Sequence, residues 1–137
     1  MDFDTLDVGQ SHRHALTRTL TETDNLLASA LIMSGEPLQL DAVFAARHAP
    51  SGERLFNSVF TLGLMIGISD RDFAPLAPNE GIEEAVFPHP ARIGDTIRVE
   101  SEVVALDRDT RSVRLRHRAL TAQDTCIGIA TRELRLP

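Results

Sequence analysis

The chain has 137 residues, which suits one domain able to bury roughly two thirds of its unfolded surface around a single core. All 14 basic residues are arginine and 20 acids leave a formal charge of -6, a balance that argues against a nucleic-acid binder, whose affinity depends on neutralising phosphates. One cysteine, Cys126, excludes a disulfide framework.

No charged n-region with an apolar h-region precedes the fold, so a soluble, cytoplasmic protein is expected. The apolar run 55–68 is shorter than the roughly 20 residues a membrane helix needs, and Asn57, Ser58 and Thr61 interrupt it.

Residues 1–10 carry three Asp and a Val-Gly pair and predict a loosely held arm. Over 12–20 the sequence HRHALTRTL alternates imperfectly, as an edge strand does. Thr21 is an N-cap candidate with Asp24 three residues on, a capping-box variant. Leu26, Leu27, Ala30 and Leu31 then share one helical face, which predicts a helix over 22–33. Ser34-Gly35 stops it, and Pro37 prevents its resumption. Asp41 caps a second short helix, AVFAARH, whose terminal Arg47 and His48 suit the negative end of the helix dipole.

The turn APSGE leads into the central segment. There Leu55, Phe56, Val59, Phe60, Leu62, Leu64, Met65, Ile66 and Ile68 leave no polar face, so this helix must be wrapped by other structure. Gly63 and Gly67 sit four apart. Each costs up to about 1 kcal/mol of helix propensity relative to Ala, which a closely packed sheet or partner helix would offset. Residues 70–78, with two prolines, read as a loop.

The last third alternates with period two. Ile97, Val99, Ser101 and Val103 fall on one face, with Arg98, Glu100 and Glu102 on the other. Likewise Val113, Leu115, His117 and Ala119 separate from Arg114, Arg116 and Arg118. A turn centred near Asp109 puts Glu100 opposite Arg118 and Glu102 opposite Arg116. CIGIATRELRL forms a further strand and GIEEAVFP another. Helices followed by a run of strands make an α+β pattern, and an apolar-all-round helix with so few strands requires the sheet to wrap around it.

Four segments in this order, RTLTETDN, EPLQLDAVFAAR, ERLFNSVFTLGLMIGIS and FPHPARIGDTIRVESEV, resemble the MaoC-like dehydratase family. The branch most similar holds mesaconyl-CoA and itaconyl-CoA hydratase-like proteins, where a T-E-A-D-N opening and an N-S pair before the helix recur. The resemblance covers most of the chain. It implies one hot-dog domain over 1–137, a curved antiparallel sheet wrapped round one long central helix. It also implies an acyl-CoA or acyl-carrier thioester substrate, no separate cofactor or metal, and reversible addition of water to a 2-enoyl group. Dimers built by sheet pairing follow as well, either homodimers or heterodimers with a MaoC homologue.

In the R-specific hydratases of that family an Asp and a His in a D-x-N-P-x-H pattern activate the water. Laid on this sequence, the His position is Gln39, the Asp position Ser34, and the Asn before Pro is Glu36, three departures from the pattern. The His-Gly pair at the helix start corresponds to Asn57-Ser58.

Backbone amides near Asn57 and Ser58, at a helix N-terminus, would polarise a thioester carbonyl. Neither Gln39 nor Ser34 titrates near neutral pH, so Gln39 orients a water or a ligand, or fills the vacated pocket. Glu36 is the one titratable residue in the loop and is either a replacement base or a solvated loop acid. Arg18 matches a position usual in the mesaconyl branch and is a candidate contact to a substrate carboxylate or to CoA. His12 and His14 form a same-side pair on a strand, but metal ligation needs a further partner the sequence does not place. Cys126 reads as a packed, inert thiol.

Three readings result. The chain is a hydratase or dehydratase acting on an acyl thioester through a non-standard site, or it is a thioester-binding subunit that has lost its own chemistry and pairs with a competent homologue. A third is an enzyme adding something other than water to the enoyl group.

Overall fold

A computed structural model describes residues 1–76 and 81–137, so the end of the loop expected at 70–78 lies outside the described residues. The chain runs β1 (Ser11–Arg13), β2 (Arg18–Thr19), α1 (Glu22–Leu31), α2 (Pro37–Leu40), α3 (Ala42–His48), α4 (Ser58–Phe73), β3 (Gly81–Val86), β4 (Thr96–Asp107), β5 (Ser112–Thr121) and β6 (Cys126–Arg135). Among the described residues six strands form one antiparallel sheet in the order β1-β4-β5-β6-β3, with β2 also paired to β4. The α+β class expected from the sequence is the one observed.

The alternation in the last third sets the register. Glu100 pairs with Arg118 and Glu102 with Arg116 across β4 and β5. In the turn between them Asp107 Oδ1 accepts the backbone N–H groups of Asp109 and Thr110. Ile97, Val99, Ser101 and Val103 are buried on the inner face, as are Val113, Leu115, His117 and Ala119.

Several elements differ from expectation. The N-terminal residues are no loose arm: Phe3 and Leu6 are buried, packing with Phe73, Val103, Leu115 and Leu134. The expected edge strand is split into β1 and β2, although the His14 backbone N–H still donates to Val99 O between them. The capping box of Thr21 and Asp24 forms, but α1 stops at Leu31 and Met33 takes a left-handed conformation with φ 59°. The apolar face of α1 points outward, with Leu27, Leu31 and Ile32 exposed, while Asn25 and Ser29 are buried. Pro37 opens the one-turn helix α2 instead of only blocking a helix, because its fixed φ and missing N–H suit a first turn. Asp41 caps α3 as expected.

The central helix begins one residue after its Asn57 cap and runs through the predicted loop as far as Phe73, closing on Ala74 in the left-handed region with φ 46°. Sixteen residues make it about 24 Å long. It is not wrapped on all sides. Thr61, Met65, Ile68, Ser69 and Phe73 are buried, whereas Val59, Gly63, Gly67 and Arg71, each four residues apart, form an exposed stripe. A Cβ on Gly63 or Gly67 would meet nothing within 4 Å. The close approach between helix and sheet falls instead at Gly128 on β6, where a Cβ would lie 2.9 Å from Met65 Sδ.

Candidate functional site

At its N-terminus α4 meets α1 and the loop carrying α2 in a cluster of amides and hydroxyls. Asn25, presented inward by α1, donates from Nδ2 to the carbonyls of Gln39 and Leu55, both at 3.2 Å, and accepts the Asn57 backbone N–H at Oδ1. Asn57 caps the helix by accepting the Val59 N–H and donates from Nδ2 to Ser29 Oγ at 3.2 Å. Gln39 Oε1 accepts from Ser34 Oγ at 3.3 Å and Ser29 Oγ at 3.5 Å.

Five of the sequence-derived site residues therefore stand at or next to one place. Gln39 and Ser34 are half-buried and in contact. Asn57 is 3% exposed, so of the Asn57-Ser58 pair expected to meet a thioester carbonyl the first is buried. With the Asn57 N–H taken by Asn25 and the Val59 N–H by the Asn57 side chain, the Ser58 N–H and hydroxyl, half-buried, are the groups left at the mouth of the helix. Glu36 is at the rim: it is exposed, and its carboxylate accepts the Leu38 N–H as the N-cap of α2. Among the described residues the hydrogen-bonded cluster of Asn25, Ser29, Ser34, Gln39 and Asn57 contains no group that titrates near neutral pH.

Arg18 is apart from this cluster. It is held at 2.5 Å by Asp24 and borders an open groove of about 440 Å³ lined by Leu16, Phe60, Gly63, Leu64, Gly67 and Arg71. A second groove of about 250 Å³, lined by Leu27, Ala28, Leu31, Ile32, Val59 and Phe60, continues the apolar surface over the first turn of α4. No described helix is long and apolar enough to cross a membrane.

A second polar assembly sits at the other end of α4. Asp72 Oδ2 lies 2.6 Å from His14 Nδ1 and 2.8 Å from His12 Nε2. His14 Nε2 is 2.7 Å from Ser101 Oγ, which is 2.7 Å from His117 Nδ1. Arg132 Nε donates to His117 Nε2 at 3.0 Å, and Arg132 Nη2 donates to Ser69 Oγ and to Asp70 Oδ1.

Arginine only donates, so His117 Nε2 must accept, its proton must be on Nδ1, and the direction of the chain follows. His117 donates to Ser101, Ser101 to His14 Nε2, and His14 Nδ1–H to Asp72. Burial, reinforced by the Arg132 charge, pushes the His117 pKa down to about 3. Burial also lowers that of His14, while hydrogen bonds from His12 and then His14 hold Asp72 below the usual carboxylate range.

Sequence patterning did not assemble this chain, although one signal was present. Arg132 occupies the inward phase of β6 with Ala130 and Leu134, and His117 occupies the inward phase of β5. Two inward-facing polar residues on adjacent strands satisfy each other.

No curated protein matches the chain. Solved structures do. The (R)-hydratase from A. caviae involved in PHA biosynthesis superposes with a TM-score of 0.83 at 25% identity, over 97% of this chain and 98% of that one. The unliganded R-hydratase PhaJ1 from Pseudomonas aeruginosa gives 0.78 at 24% identity, over 98% and 84%. The ChsH1-ChsH2 complex from Mycobacterium tuberculosis gives 0.79 at 17%, over 96% and 98%. These likenesses identify the sheet and central helix as a hot-dog fold. The family model of the MaoC like domain matches residues 4–124, so the chain belongs to the MaoC-like family.

Proposed function

We propose that this chain binds an acyl thioester of the enoyl-CoA type and takes part in its hydration or dehydration as the subunit that positions the thioester, with proton transfer supplied by a MaoC homologue paired to it. The observation that carries this reading is the neutral composition of the cluster where α4 meets the α2 loop. Adding water to an enoyl thioester requires stabilisation of the enolate oxygen and a group that moves a proton. The Ser58 N–H at the positive end of α4 supports the first. Gln39 and Ser34 can orient a water but cannot take its proton, and the Glu36 carboxylate is engaged in an exposed cap.

The apolar groove over Val59 and Phe60 is where the acyl chain would lie, and the exposed Val59-Gly63-Gly67-Arg71 face of α4 is where a second MaoC-like chain would pack. Arg18, at the edge of that face, would reach the anionic part of the ligand or of CoA after releasing Asp24. The reading in which the chain is an enzyme by itself requires Glu36 to leave its cap.

The test compares the chain alone with the chain mixed with a MaoC homologue that keeps the Asp and His, using crotonyl-, mesaconyl- and itaconyl-CoA. The expected result is thioester binding by the chain alone, with turnover in the mixture above that of the homologue alone. Turnover by the chain alone that disappears in Glu36→Gln would replace this reading with that of a self-sufficient enzyme.

A further inference from the structure

The assembly at the C-terminal end of α4 has no part in the proposed thioester site, which stands at the opposite end of the helix. His12 and His14 project from the same side of the strand at the sheet edge, and the last turn of α4 brings Asp72 up to both. The three ligand atoms, His12 Nε2, His14 Nδ1 and Asp72 Oδ2, all lie within 4.8 Å of one another. We propose that these three atoms bind a divalent transition-metal ion of the zinc class, with water completing the coordination.

The geometry has the parts such a site needs. Two imidazoles and one carboxylate form a borderline N₂O donor set, suited to Zn²⁺, Co²⁺ or Ni²⁺ and poorly to Ca²⁺ or Mg²⁺. His14 is the fixed ligand, its side chain 1% exposed and its other ring nitrogen anchored on Ser101. With its direction reversed by a change of tautomer, that contact becomes the hydrogen bond by which a metal-binding histidine is oriented. His12 and Asp72, with side chains 33% and 37% exposed, are the adjustable ligands and leave a path for the ion and its waters. Metal–nitrogen and metal–oxygen bonds of about 2.1 Å in a tetrahedron hold ligand atoms about 3.4 Å apart. The present separations of 2.6 and 2.8 Å are those of hydrogen bonds, so both open by about 0.6–0.8 Å on binding, through rotation of the partly exposed His12 and Asp72 side chains.

Proton bookkeeping sets the strength. The metal takes the His14 Nδ1 lone pair, so that nitrogen gives up its proton and the ring carries one on Nε2, which donates to Ser101 Oγ. His117 keeps its proton on Nδ1, because Arg132 donates into Nε2, and also donates to Ser101. Ser101 has two lone pairs and accepts both, and its hydroxyl hydrogen loses the His14 acceptor. This lost bond weakens binding without removing a ligand, so the affinity expected is micromolar, below that of sites whose histidines already donate their other ring N–H before the metal arrives.

The test is calorimetric titration of the untagged full chain with ZnCl₂ and, separately, CoCl₂ near neutral pH. One ion per chain is expected, with a visible Co²⁺ spectrum of nitrogen and oxygen ligation. His12→Ala and Asp72→Asn each weaken binding by at least about tenfold. A triple variant replacing the remaining exposed histidines and the thiol, His48→Ala with His89→Ala and Cys126→Ser, leaves it unchanged. No stoichiometric binding up to about 1 mM, about 4 kcal/mol on the affinity scale, would overturn the site. So would binding that survives both His12→Ala and Asp72→Asn, or that vanishes in the triple variant.

Discussion

Asn25 Oδ1 accepts the backbone N–H of Asn57 at 2.9 Å, so a side chain from α1 closes the amide of the residue that caps the central helix. Asn25 also ties the Gln39 and Leu55 carbonyls and is thus the strut that fixes the loop to the helix start. Asn25→Ala removes three hydrogen bonds at a buried position and should cost about 3 kcal/mol, read from urea denaturation. Asn25→Asp should cost more than Ala if the new carboxylate stays ionised, because it faces two carbonyl oxygens. An Asp variant as stable as the native chain would contradict the arrangement.

Stability should depend on acid through His117. Its pKa in the fold is about 3, well below the ordinary 6.5, so the unfolded chain takes up the proton first. This group's contribution is complete above pH 6.5 and is lost as pH falls from 6.5 toward 3, a loss on the order of 5 kcal/mol over the full interval. Urea midpoints measured down that range should fall. His117→Gln should be less stable near neutrality and flatter with pH, and an unchanged pH slope in this variant would remove His117 as its source.

Glycine substitutions should separate the two faces of α4. Gly128→Ala sets a methyl 2.9 Å from Met65 Sδ and 3.4 Å from Thr61 Cγ2, and should destabilise by about 1–3 kcal/mol. Combined with Met65→Ala, its additional cost should shrink, as a double-mutant cycle would show. Gly63→Ala and Gly67→Ala meet open space, and each should raise the stability of an isolated chain by up to about 1 kcal/mol. If a second chain packs on this face, the same two changes should weaken association in sedimentation measurements. Loss of stability in the isolated chain would show that the face is filled from within.

Glu36→Gln should leave turnover in the mixed assay unchanged and cost only a few tenths of a kcal/mol of stability, since the residue serves as an exposed cap of one turn. Abolished turnover would make Glu36 the base.

The legible parts of this fold were those governed by local rules. Alternation fixed which side of β4 and β5 is wet, and turn position then fixed the pairing of Glu102 with Arg116. The Thr21 box and the Asp41 cap were readable because capping acts within three residues. Long-range contacts decided the rest. The two prolines suggested that helix ends near Asp70, but Asp70 is held by Arg132 and Asp72 by His12 and His14, and the helix extends to Phe73 with them. The shared face of Leu26, Leu27 and Leu31 turns outward, and Asn25 and Ser29 occupy the inner side of α1 because only polar groups satisfy the carbonyls and amides where the loop meets the helix. At the candidate site, the sequence named Ser34, Gln39, Asn57 and Ser58, and the structure brings them to one end of α4. The sequence did not reveal that Asn57 is sealed, leaving Ser58 as the available donor.

The most direct measurement puts a carboxylate and an imidazole at positions 34 and 39. Gln39 Oε1 is 3.3 Å from Ser34 Oγ, so Gln39→His with Ser34→Asp places an imidazole and a carboxylate within reach of one water. The account predicts that the native chain alone does not hydrate crotonyl-CoA and that the double variant does. Hydration by the native chain at the rate of the double variant would contradict it.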